Sequence, residues 1–117
     1  MKYIITESKL EQVVIKYLNK FYGDLEEYRV TKYPNTLLFI KGGKVYMKQN
    51  LKNGGLWVDY NTIWSDLETI FSLEIPEIKS IITKWVEETY KLRGVTPEIM
   101  YDDLRNRWKR LINQNNL

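Results

Sequence analysis

The period of the hydrophobic pattern changes twice along this chain, and that change most constrains its fold. Residues 8–22 carry apolar side chains at the three- and four-residue spacing of an amphipathic helix. Residues 27–60 contain short runs rich in β-branched and aromatic residues, and residues 61–113 return to helical spacing. A chain with this order has to build one sheet and pack helices against it, which predicts an α+β fold.

Turn and capping residues divide the pattern into elements. Ser8 and Glu11 form a capping box at the start of the first helix. Gly42-Gly43 separates two β-rich runs and supplies the positive φ angles of a two-residue hairpin turn. Pro76 and Thr96-Pro97 are typical of helix starts. The sequence therefore predicts a single domain, residues 1–117, with an N-terminal helix (8–22), a four-stranded antiparallel meander (27–60) and three C-terminal helices (61–73, 76–93 and 97–113).

Two residue types are missing, and their absence restricts the chemistry. The chain has no cysteine and no histidine. This excludes disulfides, zinc–thiolate sites and thiol nucleophiles, and it removes the commonest general base. The sequence has no phosphate-binding G-x-x-x-x-G-K-[ST] loop and no G-x-G-x-x-G fingerprint, and its carboxylates fall into no metal-binding motif. We therefore expect a protein that is not an enzyme, with no catalytic residue, metal site or cofactor.

The basic charge is concentrated at one end. The formal net charge is +3, from 18 basic and 15 acidic residues. Residues 104–117 carry Arg105, Arg107, Lys109 and Arg110 and no acid, so the rest of the chain has one more acidic group than basic groups. This asymmetry indicates an anionic partner. The alternative is a solvated helix face whose cations complement the helix dipole.

The hairpin predicted at Gly42-Gly43 places aromatic and basic residues together. A regular two-residue turn pairs Lys41 with Lys44 and Phe39 with Tyr46. One face is then wholly apolar and packs on helices: Leu38, Ile40, Val45 and Met47. The other carries Leu37, Phe39, Lys41, Lys44, Tyr46 and Lys48. Rings with flanking cations suit a nucleotide, although cross-strand packing under a neighbouring helix or subunit explains the same pattern.

Three segments resemble a known group of proteins. The opening MKYIITESKL, the tripeptide Phe71-Ser72-Leu73 and the run IITKWV at 81–86 are similar to small proteins encoded by tailed bacteriophages. The resemblance implies a phage gene product that acts in the bacterial host cytoplasm or in a virion. It brings no catalytic residues with it.

Three classes of function fit these patterns. The first is sequestration of a small anionic nucleotide-like ligand, such as a host-defence signal, by Phe39, Lys41, Lys44, Tyr46, Lys48, Trp57, Arg105, Arg107 and Arg110. The second is a nucleic-acid-binding accessory protein that uses the basic C-terminal helix. The third is a virion or assembly component whose aromatics bury protein interfaces. The many aromatic side chains also predict a homo-oligomer, and the lack of a long apolar run predicts no membrane partner.

Overall fold

A helix, a five-stranded sheet and two further helices occupy residues 7–101, which are the residues that the computed structural model describes. The elements are α1 (Glu7–Tyr22), β1 (Glu26–Arg29), β2 (Thr36–Lys41), β3 (Lys44–Asn50), β4 (Gly55–Asp59), α2 (Ser65–Phe71), α3 (Ile75–Thr89) and β5 (Thr96–Met100). A π-helical turn, Tyr60–Trp64, joins β4 to α2. The predicted α+β class is confirmed.

The sheet is mixed and has the strand order β1-β2-β3-β4-β5. Strands β1 to β4 form the predicted antiparallel meander. The fifth strand, β5, runs parallel to β4 at the edge of the sheet. Parallel neighbours need a crossover connection, and the helical segment between β4 and β5 provides it.

Residues 96–100 form a strand where the sequence predicted the start of a helix. Thr96-Pro97 was interpreted as a helix N-terminus, because proline has no amide hydrogen to donate there. An edge strand tolerates proline for the same reason, since the missing donor faces away from the ladder. Pro97 is buried next to Leu56 of β4 in the parallel register. The remainder of the predicted 97–113 helix, from residue 102, lies outside the described residues.

The other helix predictions are matched in part: the predicted 61–73 helix is the π-helical turn Tyr60–Trp64 followed by the short α2, and the other two helices differ at their ends. Helix α1 confirms the predicted 8–22 segment to within one residue. Helix α3 begins with a capping box between Glu74 and Glu77, with proline in its first turn as expected. It ends at Thr89 and not at residue 93, because Lys91 adopts a left-handed φ of 59° and the amide of Leu92 turns back to the Val86 carbonyl.

Glycine is required at two turns. Gly42 and Gly43 both have positive φ, 60° and 76°, as a two-residue hairpin turn of the predicted type needs. Gly54 also has a positive φ, and a Cβ atom on it would clash with the Gly94 carbonyl. This close approach lets the Thr96 amide donate to the Gly54 carbonyl and begin the β4–β5 pairing.

The main core lies between one face of the sheet and the helices. We call this side the helix-covered face; its sheet members are Leu37, Phe39, Met47, Leu56 and Val58. The helices, the π-helical turn and the connecting segments contribute the remaining side chains. One of them is Trp85 of α3, whose indole N–H donates to Asn19 Oδ1 of α1 over 2.9 Å. A second, smaller cluster of Val30, Leu38 and Val45 occupies the opposite side, which we call the second face.

Candidate functional site

A β-bulge in the β2–β3 hairpin rearranges the predicted site. Lys41 pairs with Lys44 and Ile40 with Val45, as expected from the turn. The register then shifts between Phe39 and Ile40, so that Phe39 pairs with Met47 instead of Tyr46. A bulge places one extra residue on one strand, and every later residue on that strand reverses its face relative to the regular pattern.

Phe39 is therefore a core residue, and its predicted position on a ligand-binding face is wrong. Its side chain is completely buried in the helix-covered face. Its ring meets the edge of Tyr90, with centroids 5.1 Å apart. The apolar face predicted to meet the helices is also divided, because Met47 joins Phe39 there whereas Leu38 and Val45 lie on the second face.

Tyr46, Lys41 and Lys44 lie at the helical side of the hairpin. The half-buried Tyr46 ring packs against Tyr22 of α1, with centroids 5.7 Å apart. Lys41 Nζ forms an exposed ion pair with Asp24 at 2.9 Å, and the hydrogen bond from Lys41 lowers the pKa of that carboxyl. Lys44 is exposed beside the turn. These residues do not share a surface with Lys48.

Lys48 and Trp57 come together on the second face. They are direct partners in the β3–β4 ladder, and Lys48 Nζ lies 5.9 Å from the centroid of the indole ring. Trp57 is 39% exposed, although it stands in the middle of a strand. On β5, the neighbour of Trp57 in the sheet is the half-buried Glu98. A ring next to a cation on an accessible sheet surface is suited to stacking a base and attracting its phosphate.

The other predicted contacts lie outside this surface. Arg105, Arg107 and Arg110 are not among the described residues, so their relation to Trp57 stays a prediction. Of the six predicted site residues in the described part of the chain, Lys48 and Trp57 lie together on the second face, and the other four lie on the helical side of the sheet.

A half-buried polar cluster on the helical side had no signal in the sequence. Asp66 Oδ2 of α2 accepts hydrogen bonds from Tyr17 (3.0 Å) and Tyr22 (2.6 Å) of α1. Burial is the main cause that raises the pKa of Tyr22, and the Asp66 carboxylate raises it further. The hydroxyl consequently stays protonated at neutral pH and acts as a donor that ties α1 to α2. The partners are far apart in sequence, and neither belongs to a motif.

Surface cavities lie along the helices, and two of them are large enough for a small ligand. One, of about 470 Å³, is lined by Glu87, Lys91, Leu92 and Arg93 after α3. Lys91 donates there to the Glu88 carbonyl over 2.9 Å, and the carbonyl end of a helix disfavours an anion. The other, of about 350 Å³, lies between α1 and α3 around an ion pair of Lys84 with Glu11. Neither cavity combines an exposed ring with an excess of cations.

Within residues 7–101, no group of three or more acidic side chains is placed to hold a metal ion. The same residues include no helix of the length and apolarity needed to cross a membrane.

Comparison with protein-family models, with curated proteins and with solved structures finds no match for this chain.

Proposed function

We propose that the protein is a non-enzymatic binding protein that sequesters a small anionic nucleotide-like ligand, with Trp57 and Lys48 at the centre of the site. The observation that carries this proposal is their pairing on the second face. The lysine Nζ lies 5.9 Å from an indole ring that is 39% exposed. Large aromatic side chains are usually buried in a sheet, so an accessible one beside a cation favours recognition of a planar, negatively charged ligand.

The energetics allow useful affinity. Stacking of one base on an aromatic ring contributes about 1–3 kcal/mol. Each charge-assisted hydrogen bond contributes roughly 1.5–3 kcal/mol. One stack with three such contacts, supplied by Lys48 and two of the arginines at 105, 107 and 110, contributes roughly 6–12 kcal/mol. About 8 kcal/mol has to remain after the cost of association for micromolar binding, and the upper end of this range provides it.

The arrangement favours a small ligand over a long nucleic acid. In the described part of the chain, Trp57 is the one large aromatic that stands exposed within a strand, whereas Tyr28 in the same row is half-buried against the Leu38 cluster. Non-specific single-strand binders stack successive bases on several rings. A net charge of only +3 also gives weak attraction for a polymer of phosphates.

Calorimetry with cyclic dinucleotides, ADP-ribose and a short oligothymidine, at two salt concentrations, tests the proposal. We expect one of the two small-ligand classes to bind with a shallow salt dependence, and Trp57→Ala to weaken that binding at least about tenfold, in line with the loss of one stack. Phe21→Ala is a matched control, because Phe21 is also exposed and has Lys20 Nζ 5.5 Å from its ring, but it lies on α1. Absence of small-ligand binding, or equal losses in the two variants, contradicts the proposal.

An exposed apolar stripe on α1 favours a second candidate, an assembly role through self-association. Val13 and Phe21 are 52% and 46% exposed, and Tyr17 between them contacts Phe21 and Phe71 with ring centroids 4.7 and 5.4 Å away. Residues spaced by four on a helix share one face, and exposed apolar patches mark interfaces. Light scattering at micromolar concentration should show a homo-oligomer that Phe21→Glu dissociates. A wild-type monomer at high concentration would remove this candidate.

A further inference from the structure

The second face of the sheet carries apolar side chains that are buried without any contribution from a described helix. Val30, Leu38 and Val45 are 1%, 0% and 0% exposed, and Tyr28 and Ile40 pack around them. All members of this cluster come from β1, β2, β3 and the residue after β1. Side chains on one face of a single sheet stay exposed unless another layer packs on that face, so some other layer has to cover this cluster.

The burial of Leu38 and Val45 is complete within a single copy of the protein, so no second copy is required. The described helices lie on the other side of the sheet, in the cluster around Phe39 and Met47. Outside the described residues, the stretches that remain as sources of the cover are residues 1–6 and residues 102–117.

The position of β5 favours the second stretch. Met100, at the end of β5, is level with Asp59 of β4, and both are almost completely buried. Because Val58 pairs with Met47, this end of β4 lies toward the hairpin tip, where Val45 is. The chain therefore leaves β5 at the end of the sheet where Val45 lies. Residues 1–6 instead precede α1, which lies on the opposite side of the sheet.

The length and the pattern of residues 102–117 fit this face. Three strand spacings of about 4.8 Å separate β5 from β2, roughly 14 Å, and twelve residues at helical rise cover about 18 Å. Leu104, Trp108, Leu111 and Ile112 share one side at helical spacing. The same spacing puts Arg105 and Arg107 at the two margins of that apolar side.

We propose that the second face of the sheet is the docking surface for the chain's own carboxyl-terminal segment, residues 102–117, which covers Leu38 and Val45 with its apolar side. The protein is then a three-layer structure, with helices α1 to α3 on one side of the sheet and this segment on the other. Trp57 stays accessible at the margin, and the marginal arginines come to the face that carries Lys48. The proposal rests on burial and topology and does not depend on ligand binding.

Thiol accessibility in the full-length chain tests the proposal. The protein has no cysteine, so Val45→Cys introduces a single thiol on the second face and Val58→Cys introduces a matched one, equally buried, on the helix-covered face. Each is combined with Leu104→Asp and Leu111→Asp, and the rate of reaction with a water-soluble maleimide is measured under native conditions. We expect the thiol at position 45 to react at least about tenfold faster with the two aspartates present, and the thiol at position 58 to stay protected, because opening is local.

Three results would overturn the proposal. Continued protection at position 45 would mean that another part of the chain covers the face; Ile4→Asp, if it exposes that thiol, would identify residues 1–6. Equal acceleration at positions 45 and 58 would mean that the aspartates loosen the whole fold and not this face. Reactivity at position 45 that rises on dilution of the chain without the aspartates would assign the cover to a second copy.

Discussion

The two faces of the sheet differ in what their aromatic residues do. On the helix-covered face, Phe39 is completely buried and its ring meets Tyr90. On the second face, Trp57 is 39% exposed to solvent and has Lys48 as its cross-strand neighbour. The first arrangement contributes to the stability of the fold, whereas the second leaves a ring accessible to a ligand. We therefore propose that the Phe39 ring serves the stability of the fold and that the Trp57 ring serves recognition.

The largest expected effect tests this separation directly. Phe39→Ala removes a ring from a closed core and should lower the free energy of unfolding by about 3–5 kcal/mol. Trp57→Ala removes an accessible ring and a cross-strand pair, and should lower it by less than about 1 kcal/mol. Urea denaturation of the two variants measures both values. Similar losses would show that the second face contributes as much to stability as the first.

A smaller effect is expected at the junction of α1 and α2. Asp66→Ala takes away the acceptor shared by Tyr17 and Tyr22, and leaving half-buried hydroxyls without it should cost about 1–3 kcal/mol of unfolding free energy. The combination of Tyr17→Phe and Tyr22→Phe with Asp66→Ala removes donors and acceptor together, so it should recover part of this loss. An additive loss in the triple variant would show that the hydrogen bonds do not stabilise the fold.

The same cluster predicts how stability changes at alkaline pH. The pKa of Tyr22 is raised in the folded state above its ordinary value of 10.0, mainly by burial. The contribution of the protonated hydroxyl is therefore complete below about pH 10 and is lost as the pH rises above it. We expect the urea midpoint to fall less steeply above pH 10 in Tyr22→Phe than in the wild type. The same pH dependence of the urea midpoint in both proteins would show that the Tyr22 hydroxyl does not cause this loss of stability.

The smallest effect is expected at the hairpin tip. Lys41 and Asp24 form an ion pair between exposed side chains, which solvent and salt screen. Lys41→Ala should leave the urea midpoint unchanged within error. Because Lys41 lies away from Trp57, it should also leave ligand affinity unchanged, whereas Lys48→Ala should weaken it. A loss of affinity on Lys41→Ala would instead support the ligand-binding surface on the hairpin that the sequence predicted.

The sequence predicted most of the elements because their signals are local. The helical spacing of residues 8–22 and the pair Gly42-Gly43 act within a few residues, and the structure has a helix at Glu7–Tyr22 and a tight turn at the two glycines. Thr96-Pro97 failed because a missing amide hydrogen suits a helix start and an edge strand equally. The strand that pairs with residues 96–100 is β4, which lies far away in sequence, so no local pattern could distinguish a strand from a helix start there.

The site was harder to predict because one residue of register controls it. The bulge that separates Phe39 from Tyr46 carries no glycine or other marker in the sequence, yet it moves Phe39 into the core. The sequence predicts Trp57 and Lys48 as ligand contacts, but their direct pairing follows only from the β3–β4 register. The bonds of Asp66 to two tyrosines of α1 depend on tertiary packing alone.

Fluorine NMR of the protein labelled with 5-fluorotryptophan tests the central claim most directly. The chain has four tryptophans; Trp64 and Trp85 are completely buried in the main core, and Trp57 is on the accessible second face. The Trp57 resonance is assigned by its loss in Trp57→Phe. Titration with the small ligand that binds in calorimetry should shift this resonance and leave those of Trp64 and Trp85 in place. A titration that saturates binding without moving the Trp57 resonance would contradict the account.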